Sequence, residues 1–90
     1  GAMGGVFSNG QLVVAYHRGG HGHGDVMVDI YDTNWVLQET IAVTKVSSDY
    51  NAQRPWVQIV GDRMFVSYDM GREPLNILDL QCMVSVYTKR

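Results

Sequence analysis

The chain is short and weakly charged, and these two properties exclude several classes of protein. Its 90 residues make one small domain or a piece of a larger protein, with a formal net charge of −2. The seven lysines and arginines are scattered singly, whereas a nucleic-acid interface needs a basic patch or stripe. No apolar run approaches the ~20 residues of a membrane-spanning helix. We therefore expect neither a nucleic-acid partner nor a membrane span.

The composition predicts an all-β fold. Thirteen valines and five tyrosines stand against five leucines and four alanines, a balance that favours strands. Ten glycines occur mostly in clusters, as in turns. The lone cysteine, Cys82, excludes an internal disulfide and, between apolar neighbours, is predicted to be a buried thiol. A domain of this size then relies on a metal ion or a partner subunit for added stability.

The first half of the chain reads as a series of antiparallel strands. Residues 1–3 resemble the remnant of a cleaved expression tag. A short strand over 4–8 leads into Asn9-Gly10, a strong hairpin signal, and the returning strand, 11–17, is apolar on both faces and therefore predicted to be buried on both. A glycine-rich loop precedes a strand over 26–31. After the turn at 32–34, a strand over 35–44 is predicted to place Leu37, Ile41 and Val43 on one face with Glu39.

The second half centres on a hairpin. Residues 45–53 are polar and are predicted to form a loop, with Pro55 at a strand start. Strands over 56–60 and 63–69 flank Gly61-Asp62, which suits a type II′ turn. We expect Val66 and Tyr68 to be buried and Arg63 to be exposed. Further strands are predicted around 75–80 and over 83–88.

A faint internal repeat links the two halves. Displacing the sequence by 52 residues places Phe7–Gly19 on Ile59–Gly71, so that both turns coincide. The apolar face formed by Leu12, Val14 and Tyr16 then matches Met64, Val66 and Tyr68. A repeat near 50 residues with about four short strands per unit is typical of a β-propeller blade. We therefore assign residues 4–49 to a first blade-like repeat and 50–90 to a second.

The motifs in these repeats resemble the sialidase-like family of propeller repeats. The resemblance is carried by RPWVQIVGDRMFVSYD in the second copy and DVMVDIYDTNW in the first. The residues that match are Asp29, Ile30, Asp32, Asn34, Trp35, Arg54, Pro55, Gly61, Asp62 and Tyr68. The second copy departs from the pattern after Leu80, and the Asp-box motif S-x-D-x-G-x-x-W of true sialidases is absent. The resemblance implies two four-stranded antiparallel blades.

Two blades cannot close a propeller, because known rings contain about four to eight. We therefore expect identical chains, such as three or four copies, or missing blades of a longer chain, to complete a ring. The weak first strand is expected to be completed by residues 83–88 of its own or a neighbouring chain.

The histidine loop is the candidate metal site. His21 and His23 would point to one side of an extended segment, with Asp25 nearby, and such pairs ligate zinc, copper or iron. The alternative is a mobile loop with no bound ion, so that no cofactor is required. A third alternative is anion capture by the glycine backbone with Arg18.

The remaining chemistry favours binding over catalysis. Carboxylates are plentiful, but nothing singles out the pair that a glycosidase needs, and no serine has an elbow motif. Trp35 and Trp56, with Tyr50 and Arg54 nearby, are candidates for a sugar-binding platform, although both tryptophans would also suit packing between blades. We predict a non-catalytic propeller-type module that binds a ligand, most plausibly a carbohydrate. The alternatives are a fragment of a propeller glycoside hydrolase and a small metal-binding β-protein.

Overall fold

The chain folds into two antiparallel β-sheets. A computed structural model describes residues 3–7, 9–19, 24–45, 50–72 and 80–88. The strands are β1 (Met3–Val6), β2 (Leu12–Arg18), β3 (Asp25–Tyr31), β4 (Leu37–Ala42), β5 (Tyr50–Val60), β6 (Arg63–Arg72) and β7 (Gln81–Thr88). The first sheet has the order β1-β2-β3-β4 and the second the order β5-β6-β7. The predicted all-β, antiparallel class is confirmed.

Two predicted hairpin turns are present where local sequence favours them. Gly10 has a φ of 88°, and Gly10 N–H donates to the Phe7 carbonyl at 2.9 Å, which closes the β1–β2 turn. Gly61 has a φ of 62° between the paired residues Val60 and Arg63. A positive φ at only the first turn position is the type II′ geometry, as predicted.

Three predicted strand details are wrong for reasons of pairing. The expected loop over 45–53 ends earlier, because Tyr50–Gln53 pair with β6 and belong to β5. Pro55 lies inside β5 rather than at its start. It lies at an irregularity of the β5–β6 register, where no residue of β6 is paired with it and the proline's missing N–H costs no ladder hydrogen bond. The expected strand over 35–44 begins only at Leu37. Within this chain β7 pairs with β6, and completion of the first strand by a neighbouring chain stays a prediction.

A β-bulge in β4 changes the predicted faces of that strand. Tyr31 is paired with Leu37, but Ile30 is paired with Glu39, so Gln38 is an extra residue. Leu37 therefore lies on the opposite face from Glu39 and Ile41. The prediction that all of them share a face is wrong for Leu37.

The core lies between the two sheets. The largest fully buried side chains are contributed by the facing surfaces of both sheets: Val13, Val26, Val28, Met64 and Val66. The sheets approach closely at Gly5, where a Cβ would lie 3.1 Å from a side-chain carbon of Ile59. The expected burial of Val66 and Tyr68 and exposure of Arg63 are confirmed.

Each sheet also has an outer face that does not contact the other sheet. Leu12, Val14 and Tyr16 of β2 are only half-buried there, so the prediction that this strand is buried on both faces is wrong for the single chain. Cys82 of β7 is exposed, so the prediction of a buried thiol is wrong. Its side chain lies on the outer face of the second sheet, opposite Asp69. The predicted strand around 75–80 lies almost entirely outside the described residues. In the described part of the chain, no helix is long and apolar enough to cross a membrane.

Candidate functional site

Trp35 is displayed at the turn between β3 and β4. Its side chain is 66% exposed, and its ring lies 5.9 Å from that of Tyr31 at an interplanar angle of 55°. The Trp35 backbone has a φ of 63°, a left-handed conformation that costs an L-residue about 1–2 kcal/mol. Trp35 thus combines a large exposed aromatic side chain with a strained backbone.

Asp32 fixes the strained turn. Its Oδ1 accepts hydrogen bonds from the backbone N–H groups of Asn34 (2.8 Å) and Val36 (2.9 Å). Its backbone N–H donates to the Val36 carbonyl at 2.9 Å, and its carbonyl accepts from the Trp35 N–H at 3.1 Å. Gln38, the bulge residue, donates through Nε2 to Asp32 Oδ2 at 3.3 Å. These bonds hold the Trp35 backbone in one conformation.

Behind the turn, Asp29 joins three strands of the first sheet. Its Oδ1 accepts from the Tyr16 hydroxyl of β2 at 3.0 Å and from the Thr40 hydroxyl of β4 at 2.8 Å. Its Oδ2 accepts from the Tyr31 hydroxyl at 3.3 Å. Sequence reasoning missed this cluster, although an aspartate inside the apolar strand DVMVDIY was a signal, since aspartate is depleted in strands.

The two tyrosines of this cluster are held in their neutral form. Partial burial raises the pKa of Tyr16, and the hydrogen bond to Asp29 and the charge of that carboxylate raise it further. Burial likewise raises the pKa of Tyr31, followed by the negative charge of Asp29 and the hydrogen bond to it. Both phenols therefore stay proton donors to Asp29 and keep free lone pairs that can accept a ligand hydroxyl.

The four predicted sugar-platform residues do not form one platform. Trp35 lies at the turn end of the first sheet. Arg54 and the 58% exposed Trp56 lie on the outer face of the second sheet, where Arg54 Nε is 2.9 Å from Asp69 Oδ2. Tyr50 begins β5, at the other end of that strand from the Gly61 turn, with the Arg72 guanidinium 5.6 Å from its ring centre.

Arg54 is the second non-glycine residue with a left-handed backbone, at a φ of 52°. Arg54 lies at the β5 irregularity, immediately before the buried Pro55. Its side chain is directed toward Asp69. An exposed ion pair of this kind contributes about 0–1 kcal/mol, so it orients the side chain more than it stabilises the fold.

The predicted metal ligands His21 and His23 lie outside the described residues, and that site stays a prediction. Asp25 is described, and its Oδ1 accepts a hydrogen bond from the Thr44 hydroxyl at 2.7 Å. His17 Nε2 lies 3.3 Å from Asn51 Oδ1, and a Cβ at Gly24 would overlap both side chains. Within the described residues, no three His, Cys, Asp or Glu side chains are grouped to hold a metal ion.

A groove of about 460 Å³ opens between the sheets near the turns. It is lined by side chains of both sheets, among them Gln11, Gln38, Glu39, Met64 and Tyr87. The groove explains how Glu39 can occupy a core-facing position, since its carboxylate opens to solvent there.

Comparisons of this chain with protein-family models, curated proteins and solved structures give no match.

Proposed function

We propose that the two sheets are successive blades of a β-propeller-type repeat in a non-catalytic module that binds carbohydrate at Trp35. Identical chains or further blades complete the ring. The blade assignment is supported by the meander order of both sheets, in which neighbours in sequence are neighbours in space. It is also supported by a hairpin turn at the same place in each copy, at Asn9-Gly10 and at Gly61-Asp62, each with one positive-φ glycine.

The exposure of Trp35 in a strained backbone is the observation that carries the binding proposal. An exposed left-handed tryptophan gains little from burial, so its conformation is not explained by the core. Strain of this kind that the surrounding structure holds in place is a feature of ligand sites. The apolar indole face suits the C–H face of a sugar ring, and the indole N–H remains a donor.

Polar groups beside Trp35 suit the hydroxyls of a sugar. Tyr31 contacts the indole directly, and its hydroxyl oxygen keeps an accepting lone pair. Asn34 is exposed and presents an amide group that both donates and accepts. Gln38 is also exposed and presents its amide oxygen as an acceptor, because its Nε2 already donates to Asp32 and to the Val36 carbonyl. The set therefore combines a stacking surface with directional hydrogen bonds, which is the usual composition of a small-ligand site.

A glycan array with purified protein tests the proposal, with Trp35→Gly as the critical variant. Glycine relieves the left-handed strain, which offsets the lost ring contact, so the fold should be retained. We expect wild-type protein to bind a restricted set of glycans and Trp35→Gly to lose roughly tenfold or more of that affinity.

Trp56→Thr is the matched control, since it removes the other exposed tryptophan from a regular strand position. This variant should keep the glycan affinity of the wild type. Absence of any glycan binding, or equal binding by Trp35→Gly, would overturn the proposal. Turnover of a chromogenic glycoside would instead favour a hydrolase.

A further inference from the structure

The two sheets leave opposite faces of the repeat uncovered. We define the outer face of the first sheet by Val6, Leu12, Val14 and Tyr16, together with Met27, which is already buried at 4% exposure. The outer face of the second sheet is defined by Trp56, Val60, Phe65, Val84 and Val86. Cross-strand pairing places these side chains together, since Tyr16 is paired with Met27, Phe65 with Val86, and Trp56 and Val84 are both paired with Ser67. Each outer face therefore carries a group of apolar side chains. Asp29 lies among them on the first sheet, and Gln58, Arg63 and the Arg54–Asp69 ion pair lie beside them on the second.

Equivalent positions of the repeat point in opposite directions in the two sheets. Val14 and Tyr16 are half-buried on the outer face of the first sheet. Their equivalents Val66 and Tyr68 face the core and are 0% and 7% exposed. The relation holds in reverse, because the buried Val13 and Ala15 correspond to Phe65 and Ser67, which lie on the outer face of the second sheet.

This inversion identifies the internal contact between the sheets as head-to-tail. In a contact with two-fold symmetry, equivalent residues would meet each other. Here the Val13-type face of one repeat packs on the Val66-type face of the other. Each sheet thus has a Val13-type face on one side and a Val66-type face on the other. The internal contact uses one face of each type, so the chain is left with one outer face of each type.

We propose that the outer face of the second sheet docks on the outer face of the first sheet of another copy of this chain. The docking would repeat the internal contact between copies, with Phe65 and Ser67 packing over Val14 and Tyr16. This inference rests on the blade assignment and not on carbohydrate binding. Trp35 lies in the turn beyond the end of the docking face, whereas Tyr31 is paired with Leu12 on the face itself.

The chemistry of both faces permits burial. Trp56, Val84 and Val86 are 58%, 59% and 54% exposed, so covering them removes apolar surface from water. Among the paired residues that the structure describes, Asp29 is the carboxylate at the centre of the first sheet's outer face. It already accepts hydrogen bonds from three hydroxyl groups. A carboxylate paired in this way can be covered at far lower cost than a bare one.

A mixing experiment tests the docking mode. Val14→Lys blocks the outer face of the first sheet, beside Asp29, and Val84→Lys blocks that of the second sheet. Head-to-tail docking predicts that each variant alone is monomeric by light scattering. An equimolar mixture should form a 1:1 dimer, because each partner supplies the intact face that the other lacks.

Controls keep the result independent of folding. Val36→Lys places the same charge at an exposed turn position outside both faces and should leave the wild-type mass unchanged. If Val14→Lys fails to give a cooperative melt, Val6→Lys on the exposed edge strand replaces it. Glycan binding by the monomeric Val84→Lys variant, whose substitution lies on the second sheet away from the Asp29 cluster, keeps the Trp35 proposal separately testable.

A monomeric wild type would overturn the docking proposal. So would an oligomer that only one of the two variants dissociates, since that pattern indicates a two-fold contact through a single face. Failure of the mixture to form a dimer, with both variants folded, would overturn it as well.

Discussion

At the scale of single residues, Asp29 shows how one carboxylate can organise a sheet surface. Its oxygens take hydrogen bonds from Tyr16, Tyr31 and Thr40, which come from three strands. A charged acceptor shortens and strengthens such bonds relative to a neutral one. The cluster therefore couples the strand register to the presentation of the Tyr31–Trp35 pair.

The tyrosine donors predict a fall of stability at alkaline pH. Their folded pKa values are raised above 10.0, so their stabilisation is fully present below pH 10 and is lost as pH rises through the folded values. We expect the free energy of unfolding, from urea titrations, to decline above about pH 10. Tyr16→Phe should make the decline shallower, because it removes one of the tyrosines whose pKa is raised. Some decline should remain, because Tyr31 and the half-buried Tyr87, whose pKa is also raised by burial, still ionise. An unchanged alkaline slope in Tyr16→Phe would contradict this role.

At the scale of elements, the β5–β6 hairpin provides much of the core. Val66 is fully buried between the sheets, whereas Val36 is an exposed turn residue. Val66→Asp would bury an unpaired charge at a cost of several kcal/mol, comparable with the whole stability of a domain of this size. We expect this variant to lose cooperative unfolding in a thermal melt. Val36→Asp should stay within about 0.5 kcal/mol of wild type, and a cooperative melt for Val66→Asp would refute the assigned core.

The parts of the fold that depend on local chemistry could be predicted from the sequence. The turns at Asn9-Gly10, Asp32 and Gly61 follow from residues that favour those backbone angles. The early start of β5 could not be predicted, because the polar residues from Tyr50 to Gln53 become a strand only through pairing with β6. The Gln38 bulge and the exposure of Cys82 likewise depend on register and on which face meets the other sheet.

The candidate site was predictable in part. Trp35 and Trp56 were singled out as amphipathic aromatics, and both are exposed. Their positions on different surfaces depend on the packing of the sheets, which periodicity does not specify. The Asp29 cluster requires the registers of β2, β3 and β4 at once, so no single segment predicted it.

At the scale of the whole molecule, two stacked sheets leave two apolar outer faces. Monomeric proteins rarely expose contiguous apolar patches beyond a few hundred Å². Head-to-tail contacts either close into rings or extend into filaments, depending on the rotation per copy. Closure at about four to eight blades corresponds to two to four copies of a two-blade chain.

The mass of the wild-type protein in solution tests this account most directly. Light scattering after size exclusion should give a single species of about two to four chain masses. That mass should not increase as the protein concentration is raised, because a closed ring has no free faces left to add further copies. A clean monomer at every concentration would contradict the assembly of two-blade chains into a ring.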